Sequence, residues 1–183
     1  MRDVDKRRQV HRRVFLRGAA TTPAAAAVAA AGLTIGPDAA WATDLRSLAP
    51  ATMTVLARAA RDIYPHDRLA DRYYIAAVLP YDDQAAKDAA LKSLLEQGAA
   101  QLDAEAKRRF GRDYIRLGSE EQRVQVLRAV EKGAFFQKLR GDLVVTLYNQ
   151  KEVWPKLGYE GSSYEHGGYL HRGFDDIDWL PEA

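Results

Sequence analysis

The sequence predicts an all-α fold, a single compact domain of about five helices that ends in an irregular, aromatic- and glycine-rich C-terminal tail. Three observations carry that prediction. Between positions 53 and 147 apolar residues recur at three- and four-residue spacing, the period of a helix with one face in a core. Val144-Val145-Thr146 is the one real β-branched run, too little to build a sheet. The 141 residues after position 42 are the size of one domain and contain no internal repeat.

The elements follow in order. Met53, Leu56, Ala60 and Ile63 share a face of a first amphipathic helix, ended by Pro65. A short second helix is expected from about Leu69 to Leu79, stopped by Pro80. Asp82 or Asp83 is the expected cap of a third, which carries Ala86, Ala89, Leu94, Leu95 and Leu102 towards Phe110, with Gly98 either bending it or leaving it whole. Gly118 marks a restart, and Ser119-Glu120-Glu121-Gln122 fits a capping box ahead of Val124, Leu127 and Val130. Gly133 separates that fourth helix from a fifth, Ala134 to about Tyr148, whose core contacts are Phe135, Phe136, Leu139, Leu143 and Leu147. A short helical turn is expected around Glu152 to Leu157.

The first 42 residues read as an export signal rather than as part of the domain. Arg12-Arg13-Val14-Phe15-Leu16-Arg17 has the layout of a twin-arginine motif, with Arg12, Arg13, Phe15 and Leu16 intact and His11 and Arg17 as departures. A mildly apolar stretch from Gly18 to about Gly36 follows, and then Ala40-Trp41-Ala42, a small-x-small cleavage site that makes Thr43 the first mature residue. A membrane anchor is the competing reading, since the stretch is nearly long enough to span a bilayer. Its composition opposes that, because alanine dominates and only Val28, Leu33 and Ile35 are strongly apolar. The expected location is therefore the periplasm or the outer face of the cytoplasmic membrane.

Composition excludes several function classes. Residues 1–42 hold seven of the 27 basic and three of the 25 acidic groups, so the remainder is slightly acidic and has no footprint for nucleic acid. The absence of cysteine rules out disulfides, cysteine-ligated iron–sulfur clusters and covalently attached c-type haem. No glycine motif for a nucleotide or a flavin is present, and no cofactor is expected in this chain. The twin-arginine route carries folded proteins and commonly serves those that bind a cofactor before export. A chain that needs none is then expected to carry out a cofactor-bearing partner through the twin-arginine translocase.

The tail from 148 onwards holds seven of the 17 aromatic residues and five of the 13 glycines. Tyr159, Tyr164, Tyr169, Phe174 and Trp179 must be buried on this domain or on a partner to offset the entropy of ordering the segment. Within it, Leu147-Tyr148-Asn149, Val153-Trp154 and Leu157-Gly158-Tyr159-Glu160-Gly161 resemble the Y-N-x-x-x-V-W-x-x-L-G-Y-x-G signature of the gluconate 2-dehydrogenase subunit 3 family, small subunits of periplasmic flavoprotein dehydrogenases. Asp62-Ile63-Tyr64-Pro65-His66-Asp67 resembles that family's early helix ending in I-x-P-x-D. The resemblance implies a FAD-bearing large subunit of the glucose-methanol-choline type that oxidises a sugar, sugar acid or other alcohol, often with a cytochrome subunit. It supplies no catalytic residue for this chain. Tyr148, Asn149, Trp154, Gly158, Tyr159 and Gly161 stand as candidate interface or structural residues, with the two glycines also explained as turn formers.

The competing function class is a small exported enzyme or binding protein that uses its histidines. His166 and His171 with Asp175, Asp176 and Asp178 offer metal-binding groups without the spacing of a zinc motif, and ordinary hydrogen bonding accounts for them better. His66, after Pro65 at a helix end, is a candidate general base with no evident partner and is better read as a capping or surface residue. Arg108, Arg109, Arg112 and Arg116 partly share a face, for which solvation among acidic neighbours is the simpler reading than docking.

Overall fold

The computed structural model describes residues 34–36, 39, 41–42 and 45–170, which belong to a compact unit bounded by Leu33 and Ala183. Among the described residues there are helices and turns and no strands, as the apolar spacing predicts. Helix α1, Pro50–Ile63, is the centre of the domain. It opens with Pro50 in the first turn, where a missing N–H costs nothing. It contacts α2 (Asp71–Val78), α4 (Ala89–Phe110), α5 (Glu120–Val130) and α6 (Ala134–Thr146). Such a position requires burial around most of its circumference rather than on the single predicted stripe. The chain meets it with small side chains, since Ala57, Ala59 and Ala60 are fully buried beside Met53, Val55 and Leu56.

The third predicted helix is capped elsewhere than expected. Pro80 opens a short helix, α3 (Pro80–Ala85), and Asp82 and Asp83 lie within its first turn. The long helix α4 starts only at Ala89, where Asp88 Oδ1 accepts from the N–H groups of Ala90 and Leu91 at 2.9 and 3.0 Å. Asp82 instead ties down the segment before α1. Its carboxylate accepts three backbone N–H groups, from Arg46 (2.7 Å), Ser47 (2.9 Å) and Leu48 (2.7 Å). Burial alone raises a carboxyl, but these three donors outweigh it and hold Asp82 below its ordinary value. Gly98 leaves α4 unbroken, and α4 ends at Gly111, in the left-handed region at φ +71°. Ser119 caps α5 as predicted, its hydroxyl accepting from the Gln122 N–H at 3.3 Å.

Two interactions link distant parts of the core. Asp62, near the end of α1, accepts from the buried Tyr114 hydroxyl at 2.8 Å and from Arg123 Nε of α5 at 2.8 Å. Arg123 also donates to the Leu117 carbonyl at 3.0 Å. Burial pushes the Asp62 carboxyl up, against the downward pull of the Tyr114 hydroxyl and the Arg123 guanidinium. Tyr81, on α3, donates to Asp142 of α6 at 2.7 Å, and Lys138 meets the same carboxylate oxygen at 2.9 Å.

Candidate partner interface

Helix α6 divides its apolar residues between two faces. Leu139 and Leu143 enter the core, followed by Leu147 just past the helix end, whereas Val144 and Val145 remain 52% and 62% exposed. Beyond Leu147 the chain turns, and the Gln150 side chain pins the turn by donating to the carbonyls of Tyr73 and Thr146, both at 2.9 Å. Val153 is buried and anchors the start of the short helix α7, Trp154–Leu157.

The motif residues of the tail come together here. Trp154 Nε1 donates to the Tyr148 carbonyl at 2.7 Å, and the Trp154 ring meets the Tyr159 ring edge-on at 5.3 Å between centroids. Gly158 ends α7 at φ +79°, and the Tyr159 N–H returns to the Trp154 carbonyl at 2.9 Å, the bond that closes a Schellman turn. Gly161, at φ +103°, lies over the Trp154 ring, where a Cβ would sit at an ordinary 3.6 Å. Its glycine is required by backbone conformation rather than by space. Tyr148, Asn149, Trp154 and Tyr159 line one open depression of about 570 Å³ with Val144, Val145 and Leu157. Gly158 and Gly161 are not among the residues that line it. The motif does not include Val144 and Val145, and sequence reasoning did not place Leu157 on this surface. Helical phase is the signal that finds the valines, because both fall off the Leu139–Leu143 stripe.

The early motif packs against the late one. Tyr64 and His66 both set their rings edge-on to Tyr148, at 5.7 and 5.6 Å. His66 Nε2 lies 2.7 Å from the Tyr148 hydroxyl, and the Tyr74 hydroxyl donates to the Tyr64 carbonyl at 2.7 Å. Burial, then the neighbouring Tyr64, raises the Tyr148 hydroxyl above its ordinary value, so it is protonated at neutral pH. His66 therefore has the partner that sequence could not supply. A second depression of about 370 Å³, lined by Pro65, His66, Asp67, Arg68 and Lys156, shares Leu157 with the first.

Among the described residues of the tail, the large side chains after Trp154 stay largely exposed. Tyr159 is 52% exposed, and Tyr164, Tyr169 and Leu170 are between 70% and 89% exposed. Phe174 and Trp179 lie outside the described residues, as do His171, Asp175, Asp176 and Asp178. His166 Nε2 sits 3.2 Å from the Glu160 carbonyl, and among the described residues no group of three metal-ligating side chains is assembled. Arg108 and Arg109 both bond to Glu105, and those hydrogen bonds lower its carboxyl to about 2. Of the export-signal residues, Arg12, Arg13, Phe15, Leu16 and Ala40 lie outside the described residues, whereas Ala42 is buried. Among the described residues no helix is long and apolar enough to cross a membrane.

No family model, curated protein or solved structure matches the chain. The resemblance to gluconate 2-dehydrogenase subunit 3 thus rests on the motif residues themselves.

Proposed function

We propose that this chain is a noncatalytic small subunit that escorts and stabilises an exported FAD-dependent dehydrogenase of the glucose-methanol-choline type, which oxidises a sugar, sugar acid or other alcohol. One observation carries the reading. The two stretches that resemble the small-subunit family, 82 residues apart at His66 and Tyr148, meet beside an apolar depression most of whose lining residues are exposed. Val144, Val145, Leu157 and Tyr159 are exposed there, and Tyr164, Tyr169 and Leu170 follow in the tail. Large apolar and aromatic side chains gathered on an open surface are the usual anchors of a protein partner. The flavin belongs to the partner in this arrangement, and a cytochrome subunit is a natural third component.

The test uses the export signal. Arg12→Lys together with Arg13→Lys should leave both this chain and its flavoprotein in the cytoplasm, as read by fractionation and flavin fluorescence. A flavoprotein that still reaches the periplasm removes the escort role.

A further inference from the structure

The stretch expected to be the end of the export signal is built into the folded domain. Ile35 is 4% exposed and belongs to the same buried cluster as Met53, Leu56 and Tyr74. Its two backbone polar groups are held from two different helices. The Ile35 N–H donates to Asp71 Oδ2 of α2 at 2.9 Å, and the Ile35 carbonyl accepts from Arg58 of α1 at 2.6 Å. Asp71 is itself fixed by Arg61 at 3.1 Å, and Arg61 reaches the Leu69 carbonyl at 2.9 Å and lies over the Tyr74 ring. Further on, Trp41 packs against the core and its Nε1 donates to the Thr34 carbonyl at 3.2 Å. Ala42 is 1% exposed, and its N–H donates to the Ala39 carbonyl at 3.1 Å in a tight turn. Just past the expected scissile bond, Asp82 gathers the N–H groups of Arg46, Ser47 and Leu48.

A peptidase takes its substrate as an extended, accessible strand, so cutting after Ala42 requires the turn to open and Ala42 to leave its buried site. Removal of everything before Thr43 would also empty the Ile35 site and leave Asp71 and Arg58 without their backbone partners. From this geometry we infer that the described residues of this stretch, 34–36, 39 and 41–42, are a permanent strap of the folded domain, clamped by Arg58 and Asp71, and that the exported protein keeps them rather than beginning at Thr43. The twin-arginine route delivers the domain already folded, so the strap is docked before any periplasmic peptidase meets it. Processing then falls on the N-terminal side of Thr34 or does not occur. The first half of the inference concerns the fold alone; the second rests on the export reading.

The experiment has two measurements on the full chain. Intact-mass analysis of the protein recovered from the periplasm should show residues 34–42 retained. A mass corresponding to a chain that starts at Thr43 overturns the inference. Hydrogen exchange of the purified full chain should show the Ile35 amide slowed about tenfold or more relative to the unfolded chain, as expected of an amide closed by a docked segment. That protection should be lost in Ile35→Asp, which places a carboxylate in the apolar site that the Ile35 side chain fills. Exchange of Ile35 at the unfolded rate in the wild type overturns the strap whatever the location of the protein. A chain found only in the cytoplasm refutes the export reading, and the Ile35 amide then decides the strap by itself.

Discussion

Replacing Gly98 by alanine sets two effects of opposite sign against each other, and the structure decides between them. Gly98 lies in the middle of α4, where alanine is favoured over glycine by about 1 kcal/mol through backbone entropy. The ring of Phe135, at the start of α6, rests directly on its Cα. A Cβ there would fall 2.0, 2.1 and 2.6 Å from Cγ, Cδ2 and Cδ1 of that ring. No real contact is that short, and these are the ring atoms nearest the backbone, so rotation of a flexible end cannot relieve them. Phe135 is 4% exposed and has no room to swing aside without separating α6 from α4. Overpacking of this kind costs about 1–3 kcal/mol, and the direct overlap places it at the upper end, so the net loss is about 1–2 kcal/mol. Urea unfolding should show a lower midpoint with an unchanged slope. In a Phe135→Ala background, itself destabilised by about 3–5 kcal/mol, the same Gly98→Ala change should instead raise stability by about 1 kcal/mol. A stabilising Gly98→Ala in the wild-type background would refute the packing argument.

The remaining predictions concern charge and the candidate interface. Asp82→Asn should lower stability at pH 7 by about 1.5–3 kcal/mol, the range for hydrogen bonds to a charged group. Because the folded-state pKa of Asp82 is depressed, that stability is present above the unfolded value of about 3.9 and is lost as pH falls below it. Wild-type and variant unfolding curves should therefore converge in acid, and a gap that persists there would show that charge is not the cause. Arg123→Met leaves the Asp62 carboxylate buried without its bonded guanidinium and should cost about 3–5 kcal/mol by denaturant unfolding, with Tyr114→Phe, which removes a hydrogen bond to that carboxylate, costing about 1.5–3 kcal/mol. Comparable small losses in both would mean that Asp62 is neutral in the fold. Trp154→Ala removes a half-buried ring that packs on Tyr159 and lies outside the main core, so the unfolding midpoint of the isolated chain should barely move while flavoprotein co-purification is lost. Unfolding of the isolated chain would make Trp154 a core residue and place the interface elsewhere.

Features encoded within a few residues are legible without a structure. The helical period locates five helices, Ser119 announces its cap through the residues that follow it, and Gly158 and Gly161 declare themselves turn formers by position alone. Sequence misleads where one residue type has several local uses. Asp82, Asp83 and Asp88 are equally good caps by composition, and Pro80 can stop one helix or start another. Arg46, Ser47 and Leu48 make the choice, because their N–H groups take the Asp82 carboxylate from more than 30 residues away.

By itself, then, the sequence determined an all-α domain, the order of its main helices and the limits of those apart from the third, and the residues of the tail motif. Tertiary structure decided which of those residues meet. It put His66 against Tyr148, turned Val144 and Val145 outward beside the tail motif, and drew Ile35 and Ala42 into a domain expected to begin at Thr43. The physical reason is range. Period, capping and positive-φ glycine act through neighbouring backbone groups, whereas burial and long-range hydrogen bonds depend on which helix faces the space a side chain enters. Spacing along the chain does not carry that information.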